Sequence, residues 1–509
     1  MLFKAAISVL LVFSFYLVLF GQLISQSCEG IRAIASSCQK LILLADSGSI
    51  NATKSQITQF KGESGGVSKA ASSYNNQSLV NKPPLPNSDT SAIILLAKQI
   101  SELSTQISSC FNASTHPEPN FSASSGDVPK TPEYESLRAS LNDTAVDLLR
   151  LVNGPKNTIR TYAFSHYDLA VLQISVERGF FRDIPLQGSI DAGMLADKAK
   201  MDKDRTTRLL RFLATRRIFE EVESGSGVFR HTAMSIVMAR DRDFHAMVHM
   251  QMDEMFKAAS ELSTQIDRAP YVSDNENSAF CARFGLPAYA YYEQNPQKGA
   301  RFKQSMDAWS QLDGQVTRLV SGSFPWESLK AGKIVDIGGG SGHISIALAR
   351  EYPSLRFIVQ DLSEQMLSQT KEGVLSLGGR VTFQRHNFFE PQPVHDASAF
   401  LLRQCLHNYN DLDAVKITRA IVPALEKCVP GTPLLLNEVI LPESGSTARH
   451  IEHHLRQVDV TMMVVLGAKQ RSRSEFERLL KQADPRYEVV RTFDNPMGVG
   501  LLEVHLKAS

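Results

Sequence analysis

The sequence predicts an α/β domain with a Rossmann-like sheet in the C-terminal half, preceded by a mainly helical domain with a winged-helix pattern. Residues 333–362 follow the order strand, glycine-rich turn, helix, strand, which is the order of a parallel α/β unit. Residues 161–240 follow the order helix, turn, helix and a possible two-stranded wing. An apolar run near the N-terminus, followed by a Ser- and Asn-rich stretch, predicts a hydrophobic helix and a linker ahead of both domains.

Length and composition exclude several classes of protein. At about 100–200 residues per domain, 509 residues should form roughly two to four domains. A net charge of +1 argues against a strongly basic nucleic-acid binder. Six cysteines without a C-x-x-C pair argue against both a disulfide scaffold and a structural zinc site. We therefore expect four segments with these bounds: 1–27, an anchor or signal; 28–90, a low-complexity linker; 91–300, the helical domain; and 301–509, the α/β domain.

The N-terminal segment allows three interpretations. Residues Ala5 to Ile24 contain no charge, and about 20 such residues can span a bilayer. Small residues before Cys28 are typical of a signal-peptidase site. A single-pass membrane anchor, a cleaved signal peptide and a mispredicted first exon therefore remain open.

The helical domain carries no visible catalytic motif. Residues 91–111 and about 133–152 show helical apolar spacing, and another helix should end near Gly179. Ser189 and Asp191 are candidate N-caps of the next helix, and Asp202 should open the one after it. The basic residues of that last helix suggest a DNA-reading face, but acids surround them. A structural or dimerising winged helix is the favoured interpretation, without nucleic acid as a partner.

The strongest chemical signal is the glycine-rich turn after the strand Lys333–Ile337. It has the spacing D-x-G-x-G-x-G from Asp336 to Gly342, and His343 stands where the third glycine of G-x-G-x-x-G would be. Glycine lets the backbone take positive φ and approach a ligand closely. Asp361, at the end of the next strand, lies about 20 residues on, where an acid can accept both hydroxyls of a ribose.

This segment resembles class I S-adenosyl-L-methionine (SAM)-dependent methyltransferases. The downstream order resembles the plant-type and fungal O-methyltransferases, which join a winged-helix dimerisation domain to a Rossmann-like methyltransferase domain. Four family motifs support this resemblance, which covers the chain from about residue 91. They are H-D-F-F-x-x-Q-P at 386–393, R-x-x-L-H-D-W-x-D at 403–411, E-x-x-L at 438–441 and D-L-x-M…G-G-K-E-R-T at 459–472.

The resemblance implies a homodimer that transfers a methyl group from SAM to a phenolic hydroxyl of an aromatic small molecule, in secondary metabolite biosynthesis. It implies His407 and Glu438 as catalytic residues. The implied cofactor-binding residues are Gly338, Gly340, Asp361, Asn387, Phe388 and Arg403. The implied acceptor-binding residues are Phe302, Met306, Asp459 and Met462.

Four positions depart from the family motifs, one of them Tyr409 in place of a tryptophan. Asn387 and Asn408 replace aspartates, and Gln470 replaces a second catalytic glutamate. These changes motivate an alternative function, namely a catalytically weakened SAM-binding relative with a regulatory or scaffolding role.

The position of His407 supports a catalytic role without the family. It follows the apolar strand expected over Ala399–Leu406, and ligands of open α/β sheets bind at the carboxyl ends of strands. A neutral imidazole can take the proton of a phenol as its oxygen attacks, and a carboxylate such as that of Glu438 on Nδ1–H would fix the tautomer. The reaction needs no metal. His450 and His454 have an i, i+4 spacing without the H-E-x-x-H order, so we expect no metal site there.

The cofactor decides the expected topology. SAM is cytosolic, so residues 5–24 should associate the protein with a membrane while the catalytic domain faces the cytosol, and without that anchor the enzyme should be cytoplasmic. Five N-x-S/T sequons between Asn51 and Asn142 would instead favour the lumen. We give the cofactor more weight, because the Rossmann-like domain has no use without SAM whereas a sequon can stay unmodified.

Overall fold

A computed structural model describes residues 91–508, except 313–318, 320, 321, 323, 369–373, 375 and 496–498. The predicted anchor at residues 5–24 and the linker at 28–90 lie outside the described residues. Within the part of the chain that is described, no helix is long and apolar enough to cross a membrane.

The region before residue 330 is mainly helical. Its helices are α1 Ala92–Ala113, α2 Pro132–Glu177, α3 Phe180–Asp183, α4 Ala192–Ala199, α5 Lys203–Thr215, α6 Ala233–Arg240, α7 Arg242–Met250, α8 Phe256–Ala259, α9 Leu262–Arg268, α10 Ala279–Phe284, α11 Ala288–Gln294 and α12 Pro296–Leu312. A π-helical turn, Gln251–Met255, joins α7 to α8, and a 3-10 turn covers Trp326–Leu329. The domain boundary predicted after residue 300 falls inside α12.

Helix α2 consists of the two helices that the sequence predicts, which meet at a kink. Thr131 caps it by accepting a hydrogen bond from the amide of Tyr134, and Pro132 occupies its first turn. The helical path then continues to Glu177, interrupted where Gly154 takes a φ of 69° ahead of Pro155. Gly154 also has a non-helical ψ of 167°, so the first helix ends there and the second begins at Pro155; glycine takes this conformation at little cost.

The predicted helix, turn, helix and wing are present. Asp191 caps α4 by accepting from the amide of Gly193, and Asp202 caps α5 by accepting from the amide of Arg205. Ser189 caps no helix and precedes a short strand instead. The strands β1 Ile190–Asp191, β2 Phe219–Glu221 and β3 Val228–His231 form an antiparallel sheet in the order β1-β3-β2.

Part of the basic face of α5 is neutralised by acids of the same chain. Arg211 lies 2.8 Å from Glu221 on β2, and Arg208 lies 3.7 Å from Asp204. Arg216, just after the helix, lies 2.6 Å from Asp168 of α2. These pairs reduce the positive charge that a DNA-reading helix would need.

The second half forms a mostly parallel sheet with helices on its faces. The strands are β4 Lys333–Ile337, β5 Arg356–Asp361, β6 Val381–Arg385, β7 Ala399–Arg403, β8 Leu434–Leu441, β9 Arg471–Ser472, β10 Tyr487–Phe493 and β11 Val499–Leu506. The helices are α13 His343–Glu351, α14 Glu364–Ser368, α15 Asp411–Leu425, α16 Arg449–Leu466 and α17 Arg473–Ala483.

The order of the strands places the candidate site where the connections between strands change direction across the sheet. In the described residues the order is β10-β11-β8-β7-β4-β5-β6, with β9 paired to the end of β8. Strand β4 pairs in parallel with both β5 and β7, and β11 runs antiparallel to β8 and β10. From β4 the chain continues to β5 and β6 on one side, and it later adds β7 and β8 on the other side. Because the connections on the two sides lead away from each other, a crevice opens at the carboxyl ends of β4, β5 and β7.

Strand β7 is shorter than the sequence predicts. It ends at Arg403, and a 3-10 turn, Leu406–Asn408, follows it. His407 therefore lies on this turn, four residues beyond the strand. The apolar run continued past Arg403 because Leu406 packs into the core of the domain as a turn residue.

Candidate active site

The glycine turn after β4 has the conformation that its sequence predicts. Gly338, Gly340 and Gly342 take φ values of 69°, 57° and 77°. A Cβ added to Gly338 would lie 2.8 Å from Sγ of Cys405 and 3.4 Å from the ring of Phe388. Only glycine fits this close approach, so the turn leaves its backbone exposed to a ligand.

Asp361 is held against the glycine turn by its own side chain. Its Oδ2 accepts a hydrogen bond of 3.1 Å from the amide of Gly340, and its Oδ1 accepts one of 2.9 Å from the amide of Ser363. Because the two amides fix both carboxylate oxygens, the group is oriented before any ligand arrives. The remaining acceptor capacity of the carboxylate suits the hydroxyls of a ribose.

Arg403 brings positive charge to the buried floor of the crevice. Asp336, on β4, is buried and accepts a hydrogen bond of 2.7 Å from Ser345. Burial raises the pKa of Asp336 to about 6, and the charge of Arg403 opposes that rise. Burial likewise lowers the pKa of Arg403, while Asp336 and Glu438 oppose that change. Arg403 thus lies between the cofactor side and the histidine side of the crevice.

The loop after β6 supplies an aromatic wall. Phe388 and Phe389 lie edge to face with Tyr409, at ring-centroid distances of 5.8 and 5.4 Å. The amide oxygen of Asn387 accepts a hydrogen bond of 3.2 Å from the backbone of Phe389. The amide at position 387 therefore keeps the loop-stabilising contact that a carboxylate would make there.

His407 is the central titratable group of the site. Its side chain is 15% exposed, and its Nδ1 lies 3.3 Å from Oε2 of Glu438. The two atoms are in contact range, although their directions do not meet hydrogen-bond geometry. Burial, with the charges of Arg403 and Arg471, lowers the pKa of His407 to about 4. The imidazole is therefore neutral at physiological pH, as a general base must be.

Glu438 anchors the turn that carries His407. It is fully buried on β8, and its Oε1 accepts hydrogen bonds of 2.9 and 2.8 Å from the amides of Cys405 and Leu406. Burial raises the pKa of Glu438 to about 7, and these two amides oppose the rise. One oxygen thus holds the backbone and the other faces the imidazole.

Gln470 reaches the same ring nitrogen. Its Nε2 lies 3.4 Å from Nδ1 of His407, and its backbone amide donates to Asp459 at 2.8 Å. A half-turn of the side-chain amide exchanges Oε1 and Nε2, so Oε1 can accept from an Nδ1–H. The amide thus keeps a contact with the imidazole but adds no negative charge to the site.

The predicted acceptor residues are brought together only in part. Phe302 stacks on Tyr292 with a centroid distance of 4.5 Å, and Met462 packs against the same apolar cluster. Asp459 reaches the site through its bond to Gln470. Met306 is 39% exposed, and no contact in the described residues ties it to this cluster.

Two residues near the site were missed by sequence reasoning. Tyr289 of α11 lies edge to face with Phe302 at 6.5 Å. Arg471 is buried beneath the turn of His407. The three tyrosines within 289–292 were a signal for the first. The family motif at 459–472 includes Arg471 but gave it no role, because its partners lie about 60 residues earlier in the chain.

Two of the histidines of α16 contact side chains of other helices. His450 lies 3.4 Å from Arg138, and the ring of His454 stacks at 6.3 Å on Trp309. Among the described residues, no group of three or more His, Cys, Asp or Glu side chains is placed to hold a metal ion.

Comparison with known proteins identifies the family. A family model described as an O-methyltransferase domain matches residues 267–485. The O-methyltransferase sol2 of Alternaria solani is 47% identical over 422 residues, covering 83% of this chain and 97% of that protein. The chain belongs to the O-methyltransferase family. It is a SAM-dependent O-methyltransferase, with SAM as its cofactor.

Two further likenesses agree with this O-methyltransferase assignment. The chlorophenol O-methyltransferase of Trichoderma longibrachiatum is 28% identical over 408 residues, covering 78% of this chain and 86% of that protein. A crystal structure of OxaC with SAH and oxaline superposes with a TM-score of 0.64 at 21% identity, covering 82% of this chain and all of that one. The second likeness supports the Rossmann-like sheet and the helical N-terminal region of this O-methyltransferase.

The residues of the crevice fit SAM. The glycine turn leaves its backbone open, and a Cβ on Gly340 would already lie 3.3 Å from Met366. The oriented Asp361 carboxylate suits ribose hydroxyls. A helix N-terminus at α13 favours a negatively charged group such as a carboxylate. The crevice of the O-methyltransferase thus has groups that suit the ribose and the carboxylate of SAM.

Proposed function

We propose that this enzyme methylates a phenolic hydroxyl of an aromatic small molecule, with His407 as general base and Glu438 as the residue that orients it. The observation that carries the proposal is the 3.3 Å approach of a buried, neutral imidazole to a fully buried carboxylate. A general base must be unprotonated and held in place, and this pair meets both needs.

The chemistry divides between positioning and proton transfer. A phenol has a pKa near 10, so it must lose its proton as it reacts. Nε2 of His407 takes that proton, and the carboxylate of Glu438 stabilises the imidazolium that results. When bound, SAM supplies an activated methyl group, and in-line alignment of the acceptor provides much of the rate.

We assign the cofactor side to the residues around the glycine turn. Gly338 and Gly340 leave room for the backbone approach, and Asp361 would hold the ribose. Asn387 and Phe388 form the wall beside them, and Arg403 would neutralise the carboxylate end. Each assignment follows from position in the crevice and from charge.

An aromatic acceptor suits the apolar side of the site. Phe302, Tyr292 and Met462 belong to one cluster, and aromatic rings favour stacked or edge-to-face partners. A relative is named for chlorophenol, and the named relatives are O-methyltransferases, one of them from a biosynthesis cluster. We therefore place the enzyme in secondary metabolite biosynthesis.

The acceptor class is tested with labelled SAM. We expect methyl transfer to members of a panel of substituted phenols and none to matched aliphatic alcohols, because an alcohol with a much higher pKa cannot lose its proton to imidazole. Methyl-group incorporation into extracted product is the measurement. Binding of SAM without transfer to any phenol would instead support the weakened, regulatory relative that Gln470 suggests.

The pH profile tests the roles of His407 and Glu438. With pKa values of about 4 for His407 and about 7 for Glu438, the imidazole is already neutral above pH 5 and the carboxyl group loses its proton last. We expect kcat at saturating SAM and phenol to rise with pH through an apparent pKa near 7. In Glu438→Gln this limb should disappear and leave a lower, flat profile. A limb that stays near 7 in that variant would contradict the assignment.

We further propose that the helical region is a winged-helix dimerisation domain. Large apolar side chains of α2 are exposed, with Ile159 at 67%, Tyr162 at 76% and Leu169 at 38%. Their spacing of three and seven residues places them on one face of the helix. Such a face in a water-soluble chain marks an interaction surface, and a second copy of the chain is the occupant that we infer.

Light scattering on a chain beginning at Ser91 tests the dimer. We expect a dimer at micromolar concentration and a monomer for Ile159→Glu combined with Tyr162→Glu, because two buried charges would oppose the apolar contact. Lys427→Glu, an exposed change in the α/β half, is the control and should stay dimeric. A monomeric parent protein would refute the proposal.

A further inference from the structure

The side chain of Arg471 is buried directly below the turn that carries His407. Only 1% of it is exposed. Its Nη1 donates to the carbonyl oxygen of Leu406 at 2.9 Å, and its Nη2 donates to that of Tyr409 at 2.9 Å. Its Nε donates to the carboxylate of Asp411 at 2.8 Å. The guanidinium therefore holds the chain on both sides of His407.

This turn needs such a support. Strand β7 ends at Arg403, and the amide of Gln404 makes one more hydrogen bond to β8, to the carbonyl oxygen of Asn437 at 2.9 Å. Beyond it, the amides of Asn408 and Tyr409 donate within the turn itself. Glu438 holds the amides at the start of the turn, and Arg471 holds the carbonyl groups along it. A planar guanidinium presents several donors in a fixed fork, which lets one side chain bind both carbonyl groups at once.

We propose that Arg471 is a positioning residue of the methyl transfer, whose guanidinium fixes the 406–409 turn so that the imidazole of His407 stays against Glu438. The proposal rests on the proposed role of His407 as general base. Arg471 does not touch the acceptor in this arrangement, and it acts through the backbone of the turn. A displacement of about 1 Å at a catalytic group can cost roughly 10²-fold in rate.

The charge of Arg471 supports the same role. The groups that face His407 are Glu438, Arg403, Arg471 and the uncharged Gln470. The positive charge of Arg471 lowers the pKa of His407 and also that of Glu438. Loss of this charge should raise both pKa values and move the acid limb of the kcat profile to higher pH. A lysine would keep the charge but lose the fork.

Two variants separate the hydrogen-bonding geometry of the Arg471 guanidinium from its positive charge. In Arg471→Lys we expect kcat for the best phenol of the panel to fall at least about tenfold, with the acid limb unmoved and the Kd for SAM within about threefold. In Arg471→Ala we expect a fall of roughly 10²-fold and an acid limb at higher pH. Added guanidinium ion, well below denaturing concentration, should recover part of the rate.

A double variant tests whether Arg471 acts through His407. Adding Arg471→Lys to His407→Ala should lower kcat no further than His407→Ala alone, because the group being positioned is gone. Arg473→Lys is the matched control, since this nearby arginine is exposed and pairs with Glu477 at 3.0 Å, and it should change kcat less than about threefold. NMR titration of labelled histidine measures the pKa of His407 without turnover. This pKa should rise in Arg471→Ala and remain unchanged in Arg471→Lys.

Distinct results would overturn this proposal and the proposed function. Full kcat in Arg471→Lys, or additive effects in the double variant, would exclude the positioning role. If Arg471→Ala does not fold, the kinetics and the histidine titration of Arg471→Lys still test the positioning role. A normal kcat in His407→Ala would instead remove the general base, and the NMR titration would then show separately whether Arg471 controls the His407 environment.

Discussion

Replacing His407 by alanine should lower kcat by roughly 10²–10⁴-fold, the usual contribution of a general base. The neutral imidazole beside Glu438 is the group placed to take the phenolic proton. The Kd for SAM should change little, because Asp361 and the glycine turn lie on the other side of the crevice. Steady-state kinetics at saturating SAM, with calorimetry for SAM binding, are the measurements.

His407→Gln is the matched control for this experiment. An amide can still donate to Glu438 at the Nδ1 side, so the fold around the buried carboxylate is preserved while no base remains. We expect the same loss of kcat as in the alanine variant, with the melting temperature close to that of the parent enzyme. Retention of kcat within tenfold in either variant would rule out His407 as the general base.

Replacing Asp361 by alanine should weaken SAM binding by roughly 10²–10³-fold. Two hydrogen bonds from hydroxyls to a charged acceptor are worth about 1.5 kcal/mol or more each, and every 1.4 kcal/mol is about tenfold in Kd. The variant also frees the amides of Gly340 and Ser363 that the carboxylate now holds. At saturating SAM, kcat should stay within about tenfold, because His407 is untouched.

Glu364→Gln provides the comparison for Asp361→Ala. Glu364 lies three residues further on, its side chain is 77% exposed, and it pairs with Arg385 at 3.2 Å. Such an exposed pair contributes little, so SAM binding should be unchanged when its charge is removed. Calorimetric titration of each variant with SAM measures the two affinities. Equal weakening in the two would mean that net charge, and not the ribose contact, determines the affinity.

The cofactor side of the site was largely predictable from sequence. Asp336, the glycines and Asp361 lie within one strand, one turn and the next strand, and parallel pairing of β4 with β5 brings them together. The caps Asp191 and Asp202 were likewise predicted, because a cap depends on residues two or three positions apart. Features that depend on residues close together in the chain could therefore be predicted from the sequence.

The length of strand β7 was less predictable. The apolar run over Ala399–Leu406 predicted a strand to its end, but β7 stops at Arg403. Apolar character reports burial and not backbone conformation, so a buried turn looks like a strand.

The sequence by itself determined the Rossmann-like domain, the SAM-binding turn with Asp361, and the identity of His407 as the candidate base. The sequence also named Glu438 and Gln470 as partners of that base, and only the tertiary structure decided the geometry of this support and the part that Arg471 takes in it. Glu438, Gln470 and Arg471 come from β8 and from the region of β9, and they meet at the turn of His407 because β8 lies beside β7 and β9 pairs with the end of β8. Contacts between strands that are distant in the chain depend on the whole sheet, and no local pattern encodes them.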